Sequence, residues 1–263
     1  DTGKVYKAKG YEIPEYGRTA KGIPVINLLG IDSSENIEAI ISIEGKAEED
    51  QYLFFSTRLG TVKKTAVTEF SNIRTNGLKA IGLKEDDQLI NVTLTDGHQN
   101  IIIGTHQGYS VTFNEENVRS MGRSAAGVRG IKLRGDDYVV GMDVLHPESE
   151  VLVITEKGYG KRTGATEYAI KGRGGKGIKT VNITDKNGNL AGLTTVTGEE
   201  DIMLITNKGV IIRFDIDTVS QTGRATQGVR LIRLEEDALV STMAKVAKEV
   251  VEEEDATTEE AES

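Results

Sequence analysis

The stretch EVLVITEKGYGKRTG, residues Glu150–Gly164, decides the fold, because an apolar β-branched run ends at a glycine turn and a second run follows it. Short runs that are rich in valine and isoleucine and end at such a turn are typical of strands joined in a hairpin. The same pattern occurs in QYLFFST, NIIIGT and DIMLITN and the residues that follow them. The sequence therefore predicts one hairpin unit that is used repeatedly.

Two glycines mark each copy of the unit, and five copies can be aligned. The first glycine lies in the hairpin turn, at Gly3, Gly60, Gly108, Gly158 and Gly209. The second lies in an arginine-containing loop before a third β-run, at Gly22, Gly77, Gly127, Gly177 and Gly228. Successive copies are about 50 residues apart, which is the length of a four-stranded propeller blade. We therefore predict an all-β, propeller-like domain over residues 1–247, with repeats starting near residues 3, 60, 108, 158 and 209.

The C-terminal end differs from the repeats. TMAKVAKEVVEEE, Thr242–Glu254, is the one segment whose apolar spacing predicts a helix. From Glu249 to Ser263 the chain holds eight acidic residues and no basic one. A segment this charged cannot bury enough apolar surface to order itself, so residues 248–263 are predicted to be an acidic, disordered tail. Held near a basic surface, such a tail would compete with a bound polyanion.

The composition excludes several classes of protein. The net charge of −9 comes almost entirely from the tail, so the remaining chain is close to neutral. No apolar run approaches the roughly 20 residues that span a bilayer, and the N-terminal residues lack the apolar core of a signal peptide. The absence of cysteine excludes disulfides and cysteine-ligated zinc, and we expect a cytoplasmic protein.

The loop KGRGGKG, Lys171–Gly177, raises the question of phosphate binding. Its glycines fit the pattern G-x-G-x-x-G, which cradles a dinucleotide when a helix begins at the last glycine. Here Gly177 is followed by IKTVNIT, a β-branched run, and no G-x-x-x-x-G-K-[ST] string occurs in the chain. The sequence therefore predicts neither a dinucleotide site nor a P-loop, and we expect no cofactor in this chain.

Cations align in three columns when the copies are superimposed. One column precedes the second glycine, one follows it by two residues, and one follows the first glycine by four residues, with Pro24 and Thr112 as exceptions. A repeated cation becomes a belt of one sign, which is typical of a polyanion site, although solvated strand charges are the alternative. The predicted binding residues are Lys7, Arg18, Lys63, Lys64, Arg74, Lys79, Arg123, Arg129, Lys161, Arg162, Lys171, Arg173, Gly174, Gly175, Lys176, Gly177, Lys179, Arg213, Arg224 and Arg230.

The kind of polyanion follows from what accompanies these cations. Few aromatic residues lie between them, so stacking on unpaired bases is not predicted. A propeller rim also offers no element that enters a major groove. The sequence therefore predicts contacts to the phosphates of duplex DNA, with bending and little base readout. The glycines of the loops can supply a positive φ at a turn, and the same absence of a side chain would also let a phosphate approach closely.

Three segments resemble a known family. YEIPEYGRTAKGIPVINLL (Tyr11–Leu29), GYGKRTGATEYAIKGRGGKGIKT (Gly158–Thr180) and GRATQGVRLIRL (Gly223–Leu234) are similar to the C-terminal domain of the bacterial DNA gyrase A subunit. The resemblance implies a six-bladed β-pinwheel, in which neighbouring blades exchange strands. It also implies wrapping of duplex DNA in support of negative supercoiling, with ATP and magnesium used elsewhere in the enzyme. The partners would be the B subunit together with the rest of the A subunit, and this chain would hold no catalytic residue.

The chain departs from the family pattern in one motif. The family's hallmark is the string Q-R-R-G-G-[KR]-G in the first blade, and here Lys171 and Gly172 replace its Gln-Arg opening. KGRGGKG therefore resembles the loop of a later blade, and we expect the first blade to be missing from this chain. The C-terminal domain of the topoisomerase IV A subunit shares the blade and stays an alternative. A propeller scaffold for protein partners is a second alternative, and it predicts exposed apolar patches.

Other polar residues have structural explanations. The histidines, His98, His106 and His146, are scattered and lack partners at metal-ligand spacing, so we predict surface or loop positions. The acidic pairs Asp86–Asp87 and Asp136–Asp137 recur after the third β-run, where turn capping is expected.

Overall fold

The chain folds into small antiparallel sheets, according to a computed structural model that describes residues 1–17, 19–43 and 50–248. Within these residues no α-helix occurs, and no helix is long and apolar enough to cross a membrane. The strands are β1 (Lys4–Val5), β2 (Tyr52–Thr57), β3 (Thr61–Ala66), β4 (Leu78–Lys79), β5 (Leu89–Thr95), β6 (Asn100–Thr105), β7 (Tyr109–Asn114), β8 (Val128–Arg129), β9 (Val139–Val144), β10 (Glu150–Thr155), β11 (Tyr159–Gly164), β12 (Ile178–Lys179), β13 (Leu190–Val196), β14 (Glu200–Thr206), β15 (Ile211–Asp215), β16 (Val229–Arg230) and β17 (Val240–Ala247). Short 3-10 turns span Gly10–Glu12, Val25–Asn27, Val67–Phe70, Glu115–Asn117, Ala165–Glu167 and Ile216–Thr218.

Three of the sheets are complete four-stranded blades. Their strand orders are β5-β2-β3-β8, β9-β6-β7-β12 and β13-β10-β11-β16. Three strands of each blade come from one repeat, and the fourth is a two-residue strand that follows the second glycine of the next repeat. Val128, for example, pairs with Val62, and Val229 pairs with Gly160. The predicted all-β blades are confirmed, and neighbouring blades exchange strands as the resemblance implies.

The first and last sheets of the described chain are smaller. The last has the order β15-β14-β17, and the first contains only β1 and β4. The third β-run that the repeat predicts after Gly22 is absent, since Val25–Asn27 form a 3-10 turn. Residues 36–43 of the first copy, at the position that β5, β9 and β13 take in later copies, form no strand either. Among the described residues no strand lies beside them to supply hydrogen-bond partners, and Ile40 is 90% exposed.

The predicted C-terminal helix is wrong over its described part. Residues 240–247 form β17, which pairs antiparallel with β14 from Glu200↔Ala247 to Thr206↔Val240. This pairing satisfies the backbone groups that a helix would otherwise have satisfied internally, so tertiary contacts override the local apolar spacing. The acidic residues 249–263 lie outside the described part of the chain, and the tail stays a prediction.

The core lies between consecutive blades. Phe54 of β2 packs with Phe113 of the next blade, whereas its neighbour Phe55 packs towards the first repeat. In the following blade Ile101 and Ile102 divide in the same way between the preceding and the following blade. Successive side chains of a strand point to opposite faces, and both faces are covered here. This explains why the hairpin strands are continuous apolar runs rather than alternating ones.

At the side opposite the exchanged strand, the sheets end in β5, β9, β13 and β17, and these four strands lie next to one another in that order. A carboxylate joins three of them: Asp143 on β9 accepts hydrogen bonds from Thr195 on β13 at 2.9 Å and from Lys245 on β17 at 2.9 Å. Since these strands belong to three consecutive blades, the centre of the assembly is held by ionic as well as apolar contacts.

The acidic pairs cap turns, as predicted. Asp87 accepts hydrogen bonds from the Thr57 hydroxyl at 2.7 Å and from the Leu59 N–H at 2.9 Å. Asp137 accepts from the Gln107 N–H at 2.9 Å in the next blade. Each carboxylate therefore joins the turn before β5 or β9 to the hairpin turn of the same blade.

Candidate nucleic-acid interface

The cations that follow the second glycine form a series along the outer edge of the blades. Each lies on an exchanged two-residue strand, which has a neighbour on only one side. The preceding residue of these strands faces the protein in three cases, and the cation faces solvent in all four. The edge cations, as we name this set, are Lys79, Arg129, Lys179 and Arg230.

The second glycine is required by the backbone at the entry to each exchanged strand. Gly177 has a φ of +70°, and a Cβ atom there would lie 2.5 Å from the carbonyl oxygen of Ser110 in the preceding blade. Gly228 repeats this geometry, at the same distance from the carbonyl oxygen of Gly160. The structural explanation of these glycines is therefore confirmed, and it leaves the approach of a phosphate as a separate prediction.

Two arginines of the column before the second glycine fasten their loops to the preceding blade. Arg173 donates to the carbonyl of Arg129 at 3.1 Å and to that of Asn117 at 2.8 Å. One repeat later, Arg224 donates in the same way to the carbonyl of Lys179. Because these carbonyls belong to edge cations, the two columns lie side by side on the same rim.

The loop KGRGGKG lies against the exchanged strand of the preceding repeat. The Gly174 N–H donates to the Gly130 carbonyl at 2.6 Å, and the Lys132 N–H donates to the Gly175 carbonyl at 2.8 Å. Lys171 and Lys176 are exposed on this loop. The loop therefore adds its own cations to those at the neighbouring exchanged strand β8.

Sequence reasoning missed two cations at this junction. Lys132 is exposed beside the loop. The guanidinium of Arg134 lies 3.7 Å from the ring centroid of Tyr109 and donates to the Lys176 carbonyl. Neither residue belongs to a complete column, but the density of cations in GVRGIKLR would have indicated them.

The surface between the cations is concave in two places. A cavity of about 450 Å³ is lined by residues that include Lys84, Arg129 and Lys132. A second, of about 540 Å³, is lined by residues that include Arg74, Lys79 and Arg123. An anionic group that enters the first cavity meets three cations, which favours phosphate over neutral ligands. The second cavity also holds the carboxylate of Glu69, 4.0 Å from the Arg123 guanidinium, which lowers its net positive charge.

The third column, four residues after the first glycine, is neutralised within the protein. Its pairs join Lys64 to Glu115 at 3.8 Å, Arg162 to Glu150 at 2.9 Å and Arg213 to Asp201 at 2.7 Å. Lys64 is buried, and Arg162 is mostly buried. Lys64 and Arg162 lie on hairpin strands that are covered by neighbouring blades, whereas Arg213 is exposed on the last sheet and is neutralised by its ion pair. The structure therefore separates this column from the edge cations. Lys7, which heads this column, is exposed, and Arg18 lies outside the described residues.

Two further predicted residues, Lys63 and Lys161, are fully buried, with 0% exposure. Burial lowers the pKa of each ammonium to about 8. Among the weaker influences, the guanidinium of Arg123 also lowers the pKa of Lys63 and Glu69 raises it, whereas for Lys161 the raising effect of Glu167 exceeds the lowering effect of Arg224. Their side chains therefore do not reach the rim, and we leave them out of the contact surface.

The histidines take loop positions. His98 and His146 are exposed, and His98 bonds to Glu116 at 2.7 Å. His106 is partly buried, bonds to Glu156 at 3.0 Å and stacks on Tyr138. Across the described ranges, no group of three or more His, Asp and Glu side chains could hold a metal ion.

Comparison with known proteins relates this rim to a family. A family model described as the DNA gyrase C-terminal domain, beta-propeller, matches residues 1–43, 51–96, 99–146, 149–197 and 200–247. The DNA gyrase A subunit of Streptococcus pyogenes serotype M3 is 67% identical over 247 residues, which are 94% of this chain and 30% of that protein. That of Streptococcus pneumoniae serotype 4 is 63% identical over 257 residues, 98% of this chain and 31% of that protein. The chain thus spans about 30% of the length of these relatives.

Two solved structures share the fold. The C-terminal domain of DNA topoisomerase IV superposes with a TM-score of 0.85 and 29% identity, over 94% of this chain and 77% of that one. A DNA gyrase A C-terminal domain superposes with a TM-score of 0.80 and 23% identity, over 93% of this chain and 79% of that one.

Proposed function

Since this chain belongs to the DNA gyrase C-terminal domain family, we propose that it binds duplex DNA along its outer edge, and bends and wraps the duplex without reading its sequence. The resemblance to the gyrase A subunit, rather than to that of topoisomerase IV, is confirmed by the identities with the streptococcal relatives. The chemistry of the rim supports the rest of the proposal.

The observation that carries this proposal is the placement of the edge cations. Each of the four is exposed on a strand that repeats from blade to blade, and loop arginines lie beside them. A repeated cation meets a repeated phosphate, so affinity arises from the backbone of the duplex. Smooth bending of a 20–30 base-pair site by tens of degrees costs about 1–6 kcal/mol, which several such contacts offset.

The wider role belongs to the whole protein. We propose that wrapping by this chain supports negative supercoiling by a gyrase in the bacterial cytoplasm. Its partners are then the gyrase B subunit together with the rest of the gyrase A subunit. In this proposal DNA breakage, ATP and magnesium are handled outside this chain, which binds DNA and carries out no reaction by itself.

The proposal is tested by measuring duplex affinity between 50 and 200 mM salt, with energy transfer between the labelled ends of the duplex as a readout of bending. Each phosphate neutralised contributes about −0.9 to the slope of log affinity against log salt. Replacing all four edge cations by alanine should make the slope shallower by about 3.5. Arg213→Gln removes one charge from the ion-paired third column and should leave the slope unchanged, whereas Arg129→Ala, which removes one edge cation, should make the slope shallower by about 0.9.

The other outcomes contradict specific parts of the proposal. Salt-dependent binding without bending would remove the wrapping role and leave a phosphate-binding rim. A loss of about 0.9 in the slope of Arg213→Gln, equal to that expected for one edge cation, would show that the columns are not distinct. Absence of binding would overturn the proposal and favour the scaffold for protein partners, for which the exposed side chains of Tyr11 (84%) and Ile40 (90%) are the supporting observation.

A further inference from the structure

We propose that Lys63 and Lys161 are positioning residues, which hold the arginine loops of the following repeat from beneath so that Arg123 and Arg224 face the duplex. This inference rests on the DNA-binding function proposed above. It gives a role to two buried cations that make no contact with the rim surface themselves.

The two lysines, two repeats apart, share one contact, a hydrogen bond to the carbonyl of the loop arginine, and each has a second carbonyl partner. The Lys63 ammonium donates to the carbonyl of Arg123 at 2.6 Å and to that of Ala80 at 2.5 Å. The Lys161 ammonium donates to the carbonyl of Gly223 at 2.7 Å and also to that of Arg224. Each lysine on a hairpin strand therefore binds the backbone of the loop that crosses it, at the arginine itself.

These lysines are not needed to fill the blade. The equivalent position, three residues after the first glycine, is Val111 in one blade and Ile212 in another. The loop next to Val111 is KGRGGKG, which is fastened from outside by its own Arg173. The described chain thus contains loops with a lysine anchor and a loop without one, and the blade tolerates an apolar side chain at this position.

Lys63 and Lys161 are buried cations at a position where an apolar residue also fits, which points to a specific role for their ammonium groups. Among the described residues no carboxylate lies within ion-pair distance of either ammonium, so backbone carbonyls are the direct partners of the charge, and Glu69 and Glu167 act on it only from farther away. A buried charge is costly unless it is hydrogen-bonded, and an apolar residue would avoid that cost. What the lysine adds is a hydrogen bond to the arginine's own carbonyl, which fixes the backbone from which the arginine side chain leaves; in the case of Arg224 that side chain then lies beside the edge cation of the preceding repeat, to whose carbonyl it donates.

A double-mutant cycle tests whether Lys161 acts through Arg224. At 0.1 M salt, loss of one phosphate contact weakens binding about eightfold. We expect Lys161→Met and Arg224→Ala each to cause a loss of this order, and the double variant to lose no more than Arg224→Ala alone. In an Arg173→Ala background, which alters the loop without an anchor, Lys161→Met should still cause its full loss. The inference is overturned if Lys161→Met causes the same loss in the Arg224→Ala and Arg173→Ala backgrounds, or no loss in either.

A second measurement separates this inference from the DNA-binding function. Hydrogen exchange of the free chain should be faster in Lys161→Met over residues 222–226, where the Arg224 N–H bonds to Glu167, and unchanged over residues 171–177. If the wild-type chain fails to bind DNA but this exchange pattern appears, the proposed function fails and the anchor stands. Unchanged exchange over residues 222–226 overturns the anchor, whatever the affinity.

Discussion

Alanine at Gly177 should destabilise the blade junction, whereas alanine five residues earlier, at Gly172, should not. Gly177 combines a φ of +70° with a potential contact of 2.5 Å between Cβ and the Ser110 carbonyl oxygen. Gly172 lies in the same exposed loop, has no positive φ and has no atom within 4 Å of the equivalent Cβ position. The two substitutions add the same methyl group, so the comparison isolates the local geometry.

The magnitude follows from two contributions. A left-handed backbone costs a non-glycine residue about 1–2 kcal/mol. Relieving the contact with Ser110 displaces the exchanged strand, in which Ile178 pairs with Ser110, and each lost hydrogen bond costs about 1 kcal/mol. We expect Gly177→Ala to lower the free energy of unfolding by about 2–4 kcal/mol. Gly172→Ala should change it by less than about 0.5 kcal/mol, or stabilise slightly by restricting the unfolded chain.

Urea unfolding followed by far-ultraviolet circular dichroism measures both variants, and tyrosine fluorescence provides a second probe. The reasoning would be refuted if the two variants unfolded within about 0.5 kcal/mol of each other. Gly175→Ala extends the test to DNA, since a Cβ there meets nothing closer than the Gly172 carbonyl oxygen at 4.0 Å. If Gly175→Ala preserves stability but weakens DNA binding, a phosphate approaches the loop backbone at this position.

Three further outcomes are expected. The pKa of Lys63 and that of Lys161 are lowered to about 8 from 10.5, so the unfolded chain binds more protons between these values. The free energy of unfolding should therefore rise with pH across that window, by up to about 1.4 kcal/mol per pH unit per lysine, and a double methionine variant should lack the rise. Burial alone would raise the pKa of Asp143, but Lys245 and the surrounding hydrogen bonds hold it below 3.8. Its stabilisation should be present above pH 3.8 and disappear as pH falls through the lowered pKa, and Asp143→Asn should cost about 1–3 kcal/mol in urea at pH 7. Deletion of residues 249–263 should tighten DNA binding at low salt if the acidic tail competes for the rim, and unchanged affinity would contradict that competition.

The repeat pattern was enough to predict the blades, because glycine spacing reports backbone geometry directly. Gly60, Gly108 and Gly158 all have φ between 76° and 81° at hairpin turns, and only glycine adopts this conformation without strain. The helix expected at Thr242–Glu254 failed because apolar spacing in one segment does not reveal whether a partner strand such as β14 is available. The sequence therefore predicts local backbone geometry, but it does not show which strand each segment pairs with.

The candidate site could be predicted only in part, because aligned cations do not reveal how far a strand lies from the outer edge. Lys63 and Lys64 are adjacent, and a strand with one solvated face would bury one and expose the other. Both are buried, since neighbouring blades cover both faces of β3. Arg129 pairs with Thr61 at the start of that same strand, but it lies on β8, beyond which no further strand follows in the sheet. A cation on a hairpin strand is therefore drawn into ion pairs and backbone anchors, and a cation on an exchanged strand is left for a ligand. In the proposed function, strand exchange thus determines which of the repeated charges can contact DNA, and it places the candidate binding residues of each blade in the repeat that follows it.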